Sequence, residues 1–156
     1  MTLQDLANLG ELVGGIAVVL SLLYLAVQIR QNTRALRGAA HETASSRTTQ
    51  YLTSVTATQE IHELWVRAHS DPTGVSESEL YRYQRLLAAS LDGIETVYWQ
   101  HRRGNIEPEI WDRWQRILQS LLEGPGVQHA WKQDAIPLTS AFAEVVEREF
   151  RKINPS

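Results

Sequence analysis

From Leu12 to Ile29 the chain reads LVGGIAVVLSLLYLAVQI, eighteen residues without a charge. A helix of that length covers about 27 Å, close to the roughly 30 Å hydrocarbon core of a bilayer. The pattern predicts a transmembrane helix. Two other readings fit an apolar run, a cleaved secretory signal and the core helix of a soluble bundle. A signal peptide needs a cationic start and a small-residue cleavage pattern. Here MTLQDLANLGE carries Asp5 and Glu11 with no Lys or Arg, and the run passes directly into QIRQNTRALR. A core helix needs a domain large enough to surround it, and the remaining chain of about 110 residues barely suffices.

Orientation follows from the flanking cations. None precedes the run, whereas Arg30, Arg34, Arg37 and Arg47 follow it closely. The positive-inside bias therefore predicts the N-terminus outside and the C-terminal side in the cytoplasm. The helix is expected to continue past the membrane, since QIRQNTRALRGAAHETASSR has no proline and only Gly38 as a weak position. Arg30, Arg34 and Arg37 fall at i, i+4 and i+7 on one stripe. Such a stripe suits anionic lipid headgroups, at about 1 kcal/mol per cation near the surface, and equally suits a solvated face.

Steps of four and three along the same helix pick out Gly10, Gly14, Ala17, Ser21, Tyr24, Gln28, Gln31, Ala35 and Gly38, all small or polar. Bulky residues such as Val19, Leu22, Leu23 and Leu25 lie between them. An average step of 3.5 keeps one seam turned toward a partner. In lipid, small residues that admit a close backbone and polar groups that bond across helices mark a contact face. The residues Gly10, Gly14, Ala17, Ser21, Tyr24 and Gln28 are thus expected to mediate oligomerisation, with a copy of the chain or with another membrane protein. The alternative is a homo-oligomeric pore lined by the same seam. A charge-selective pore would want ionisable residues there, and the run has none.

Beyond residue 45 the apolar period is helical throughout. Tyr51 to Ala68 predicts one helix or two short ones, stopped at Ser70-Asp71-Pro72-Thr73-Gly74. Ser76 with Glu79 forms a capping box for a long helix whose face is Leu80, Tyr83, Leu87, Leu91, Ile94 and Tyr98, closed at Gly104. Pro108 opens the next helix, which Gly124-Pro125-Gly126 stops. A short helical turn carries Val127 and Trp131, and Ser140 is positioned to cap a last helix with Phe142, Val145, Val146, Phe150 and Ile153 on its face. Helices of this length joined by short loops make a bundle around one core.

Composition narrows the chemistry. Fifteen Lys+Arg against eighteen Asp+Glu give a net charge of -3, so no basic field exists to hold nucleic acid. The absence of cysteine removes thiol nucleophiles, disulfides and Cys-ligated metals. His62-Glu63 is followed by His69, seven residues after the first histidine instead of the four of a zinc protease helix. The acid pair Asp92 and Glu95 is read as structural, one carboxylate pairing with an arginine such as Arg113 or Arg116. Neither a nucleophile motif nor a phosphate loop is present. The chain is therefore read as a non-enzyme with no catalytic residue, metal or cofactor.

The stretch LGELVGGIAVVLSLLYLAVQIRQNTRALR, with YWQHRRGNIEPEIWDRW and LLEGPGVQHAW further on, resembles a family of uncharacterised bacterial single-span membrane proteins with a helical C-terminal domain. Tyr98, Gly104, Trp111, Pro125-Gly126 and Trp131 are the landmarks of the likeness. It implies the same architecture and a bacterial inner membrane, and it assigns no catalytic residue. The expected organisation is all-α: a short segment 1–11, a transmembrane helix 12–29, a juxtamembrane helix 30–48 and a cytoplasmic bundle 49–156. The expected role is a self-associating scaffold or an accessory subunit of a membrane complex.

Overall fold

The computed structural model describes residues 2–153; residues 154–156 of the expected bundle lie outside the described part. The chain is 84% helical and all-α. Among the described residues there are six helices, α1 (Leu3–Thr56), α2 (Gln59–Ser70), α3 (Glu77–Arg102), α4 (Pro108–Leu122), α5 (Pro125–Lys132) and α6 (Ser140–Ile153). They divide into two compact units, Met1–Ala39 and Ala40–Ser156, with residues of α1 in both.

In the first unit the apolar run has no protein cover. Its large apolar side chains from Leu12 to Ile29 are 52 to 65% exposed, and its most apolar window is 0% buried. A core helix would bury one stripe at least, and within its own unit this run buries none. Helix α1 is long and apolar enough to cross a membrane.

The second unit begins earlier than the sequence pattern suggests. Ala40 and Ala44, inside the stretch read as juxtamembrane, are already buried, as is Val55 later in α1. They join one core with Leu64, Leu87, Leu91, Leu118 and Val146. Each fully buried aliphatic side chain of this kind stabilises the fold by about 1.5–3 kcal/mol.

Local signals set the helix boundaries. Thr58 accepts the Ile61 N–H at 3.2 Å and starts α2, which resolves the ambiguous region after Tyr51 into the end of α1 and a separate helix. The Ser76 hydroxyl accepts from the Glu79 N–H while Glu79 Oε2 takes the Ser76 N–H at 2.9 Å, the expected capping box. Those bonds from the Ser76 backbone and hydroxyl, then Arg67, bring the Glu79 carboxyl down to about 2. Gly104 takes φ 71°, a conformation costly for a residue with a Cβ, and closes α3. Pro108 and Pro125 each open a helix where a missing N–H costs nothing.

The start of α6 differs from expectation. Ser140 is its first helical residue, and the carbonyl of Thr139 accepts the Phe142 and Ala143 N–H groups. Thr139 is fixed there because its own N–H, at 3.2 Å, and its hydroxyl donate to the Glu95 carboxylate on α3. A tertiary bond therefore selects the cap.

Candidate membrane helix and contact seam

At about 100° per residue, Gly10, Gly14, Ala17, Ser21, Tyr24 and Gln28 fall within an arc of about 80° on α1, and Val19, Leu23 and Leu12 lie opposite. No neighbouring atom lies within 4 Å of a Cβ built on Gly10 or Gly14, beyond the helix's own backbone. The backbone at both glycines is thus bare.

The polar members of the seam are satisfied within the helix. Ser21 Oγ donates to the Ala17 carbonyl at 2.8 Å, and Gln28 Nε2 donates to Tyr24 Oη at 2.8 Å. Just past the run, Thr33 Oγ1 donates to the Ile29 carbonyl at 2.9 Å. Internal bonding lowers the cost of placing these groups in hydrocarbon, where an unpaired donor costs several kcal/mol. Tyr24 Oη, which accepts from Gln28, still has its own hydrogen to donate, and Gln28 still has its amide oxygen to accept. Arg30, Arg34 and Arg37 are exposed on the following turns of the same helix.

Within the second unit, the polar groups tie helices together. Glu149 is fully buried and accepts from Gln115 Nε2 and Gln119 Nε2, both at 2.8 Å, while Lys152 Nζ lies 2.8 Å from Oε1. Burial pushes this carboxyl up, but the bonds from Gln119, Lys152 and Gln115 and the Lys152 charge outweigh it and hold it below the usual carboxylate value. His69 Nδ1 meets Tyr83 Oη at 2.9 Å, and the His69 ring stacks on Trp65 at 5.7 Å. Burial lowers the His69 pKa. On Tyr83 burial acts first and the nearby Tyr51 second, and both raise it.

The sequence pattern alone does not single out Glu149. It falls three and four residues after Val146 and Val145, a charge on an apolar face, and that interruption is the available signal. The acid pair of α3 has partners other than the arginines expected. Asp92 faces Arg47 at 4.0 Å, and Glu95 takes Thr139 and the Trp99 indole N–H, so neither Arg113 nor Arg116 is its partner. Among the described residues no three His, Asp or Glu side chains converge as metal ligands. No protein-family model matches the chain, and no curated protein or solved structure is found similar to it.

Proposed function

We propose that the chain is a single-span inner-membrane protein, with its N-terminus outside and its helical bundle in the cytoplasm, that acts as a self-associating scaffold or an accessory subunit of a membrane complex. The observation that carries this reading is the exposure of every large apolar side chain from Leu12 to Ile29, on all sides of a helix whose polar groups are bonded internally. In water that surface is costly, at about 25 cal/mol per Å² of apolar area, and in acyl chains the cost disappears. The bare backbone at Gly10 and Gly14 supports helix contact along the seam. Arg30, Arg34 and Arg37, exposed directly after the run, support contact with anionic lipid headgroups.

A reporter fused after Ser156, read together with alkaline carbonate extraction, tests the proposal. The protein should stay in the membrane pellet, with the reporter active only if it functions in the cytoplasm. Release by carbonate removes the span, and strong alkaline-phosphatase activity from the fusion inverts the orientation.

A further inference from the structure

The second unit contains a cleft of about 190 Å³ between residues 47–54 of α1, residues 89–94 of α3 and residues 114–121 of α4. Its floor is apolar and buried, formed by Ile94, Trp114 and Leu121. Gly93 lines the same cleft, and a Cβ there would make ordinary contact with Arg47 side-chain carbons, at 3.9 Å. An apolar cavity of about 150 Å³ is enough to hold benzene, so this cleft suits a body of one ring or a short acyl chain.

The polar groups of the cleft choose the sign of the ligand. Ser54 and Ser90 donate their hydroxyl hydrogens to the backbone carbonyls of Tyr51 and Leu86, both at 2.8 Å, and so present only lone pairs. Arg47 is the strong donor. Its Nη1 donates to Gln50 Oε1 at 3.1 Å and stands 4.0 Å from Asp92 Oδ2, beyond hydrogen-bond range, so that among the described residues Nε and Nη2 are left to a ligand. The Arg47 side chain is 34% exposed and that of Asp92 is 68%. The cation is therefore the less hydrated of the two charges, and the cleft favours an anion over a cation.

We propose that this cleft binds a small organic monocarboxylate, its apolar body against Ile94, Trp114 and Leu121 and its carboxylate on the Arg47 guanidinium. Asp92 competes for the same guanidinium and weakens the site. The assignment does not depend on the membrane role above.

Benzoate and its cationic counterpart benzylammonium, titrated into the full chain in lipid nanodiscs with calorimetric detection, test the proposal. Benzoate should bind with one-to-one stoichiometry and benzylammonium should not. Arg47→Gln should weaken benzoate by about tenfold or more, the loss expected for a charge-assisted bond. Asp92→Asn should tighten it, and does not depend on Arg47→Gln remaining folded. The proposal is overturned by equal binding of the two probes, by no binding of benzoate, by parent affinity in a folded Arg47→Gln protein, or by weaker binding in Asp92→Asn.

Discussion

His69 Nδ1 and Tyr83 Oη stand 2.9 Å apart and join α2 to α3 where α5 begins. Both pKa shifts favour the neutral pair, with burial lowering His69 and raising Tyr83. The contact therefore joins two neutral groups, a phenol and an imidazole. Because the folded pKa of His69 lies below its unfolded value of 6.5, the unfolded chain takes up the proton first. Stability is full above pH 6.5 and falls as the pH drops from there toward the folded value. Thermal midpoints measured from pH 8 to 5 should show that decline, and His69→Asn, which keeps an acceptor near Nδ1, should flatten it. An unchanged slope in the variant would remove His69 as the source.

Gly126 and Gly93 should respond oppositely to alanine. A Cβ at Gly126 would overlap the Ala68 carbonyl and stand 2.9 Å from both His69 Cα and Tyr83 Oη, and the first two are backbone atoms that cannot step aside alone. Gly126→Ala should cost about 1–3 kcal/mol or more. Gly93→Ala meets only ordinary contacts at 3.9 Å within α3 and should gain up to about 1 kcal/mol from helix propensity. Urea midpoints of the two variants decide it.

Glu149 is the acceptor on which Gln115, Gln119 and Lys152 all depend. Glu149→Leu leaves these donors without their acceptor in a half-buried setting and should cost about 1–3 kcal/mol. Glu149→Gln supplies one acceptor oxygen instead of two and should fall between. Since the folded pKa is depressed below 4.5, the carboxylate's contribution is complete above pH 4.5 and is lost as the pH falls through the folded value. Denaturant midpoints between pH 6 and 3 should show this loss in the parent, and Glu149→Gln should show less of it.

Helix contact along α1 predicts an asymmetry between its faces. Gly14→Leu places a bulky side chain where two backbones meet and should cost about 1–3 kcal/mol of association. Leu22→Ile changes shape on the lipid side and should be nearly silent. Oligomer size at a fixed detergent-to-protein ratio reads both. If neither matters, assembly does not use this seam.

Helix boundaries set by a few adjacent residues are legible in the amino-acid sequence. The Ser76–Glu79 box, Gly104 and Pro108 act within one turn of chain, and each acts where the pattern puts it. The apolar run is equally plain, because span length is a property of consecutive residues. Features that depend on which helices become neighbours are not legible in this way. Thr139 displaces Ser140 as the cap because Glu95 lies within reach on α3, and Asp92 faces Arg47 of α1. Glu149 lies at a core position because α4 supplies two amide donors one turn apart. Helical periodicity ranks faces by hydrophobicity and carries no information about such partners.

Single cysteines placed from residue 10 to residue 28 test the central claim most directly, because the chain has no cysteine of its own. Two thiols join only when their Cα atoms come within about 7 Å. Oxidative cross-linking in native membranes should peak at positions 10, 14, 17, 21, 24 and 28 and vanish at 12, 19 and 23. Each single cysteine can join only two chains, so the dimer bands read the contact face, and copy number is read from size in detergent, where four or more copies would favour the pore. Uniform cross-linking around the helix, or a peak centred on Val19 and Leu23, would contradict the account.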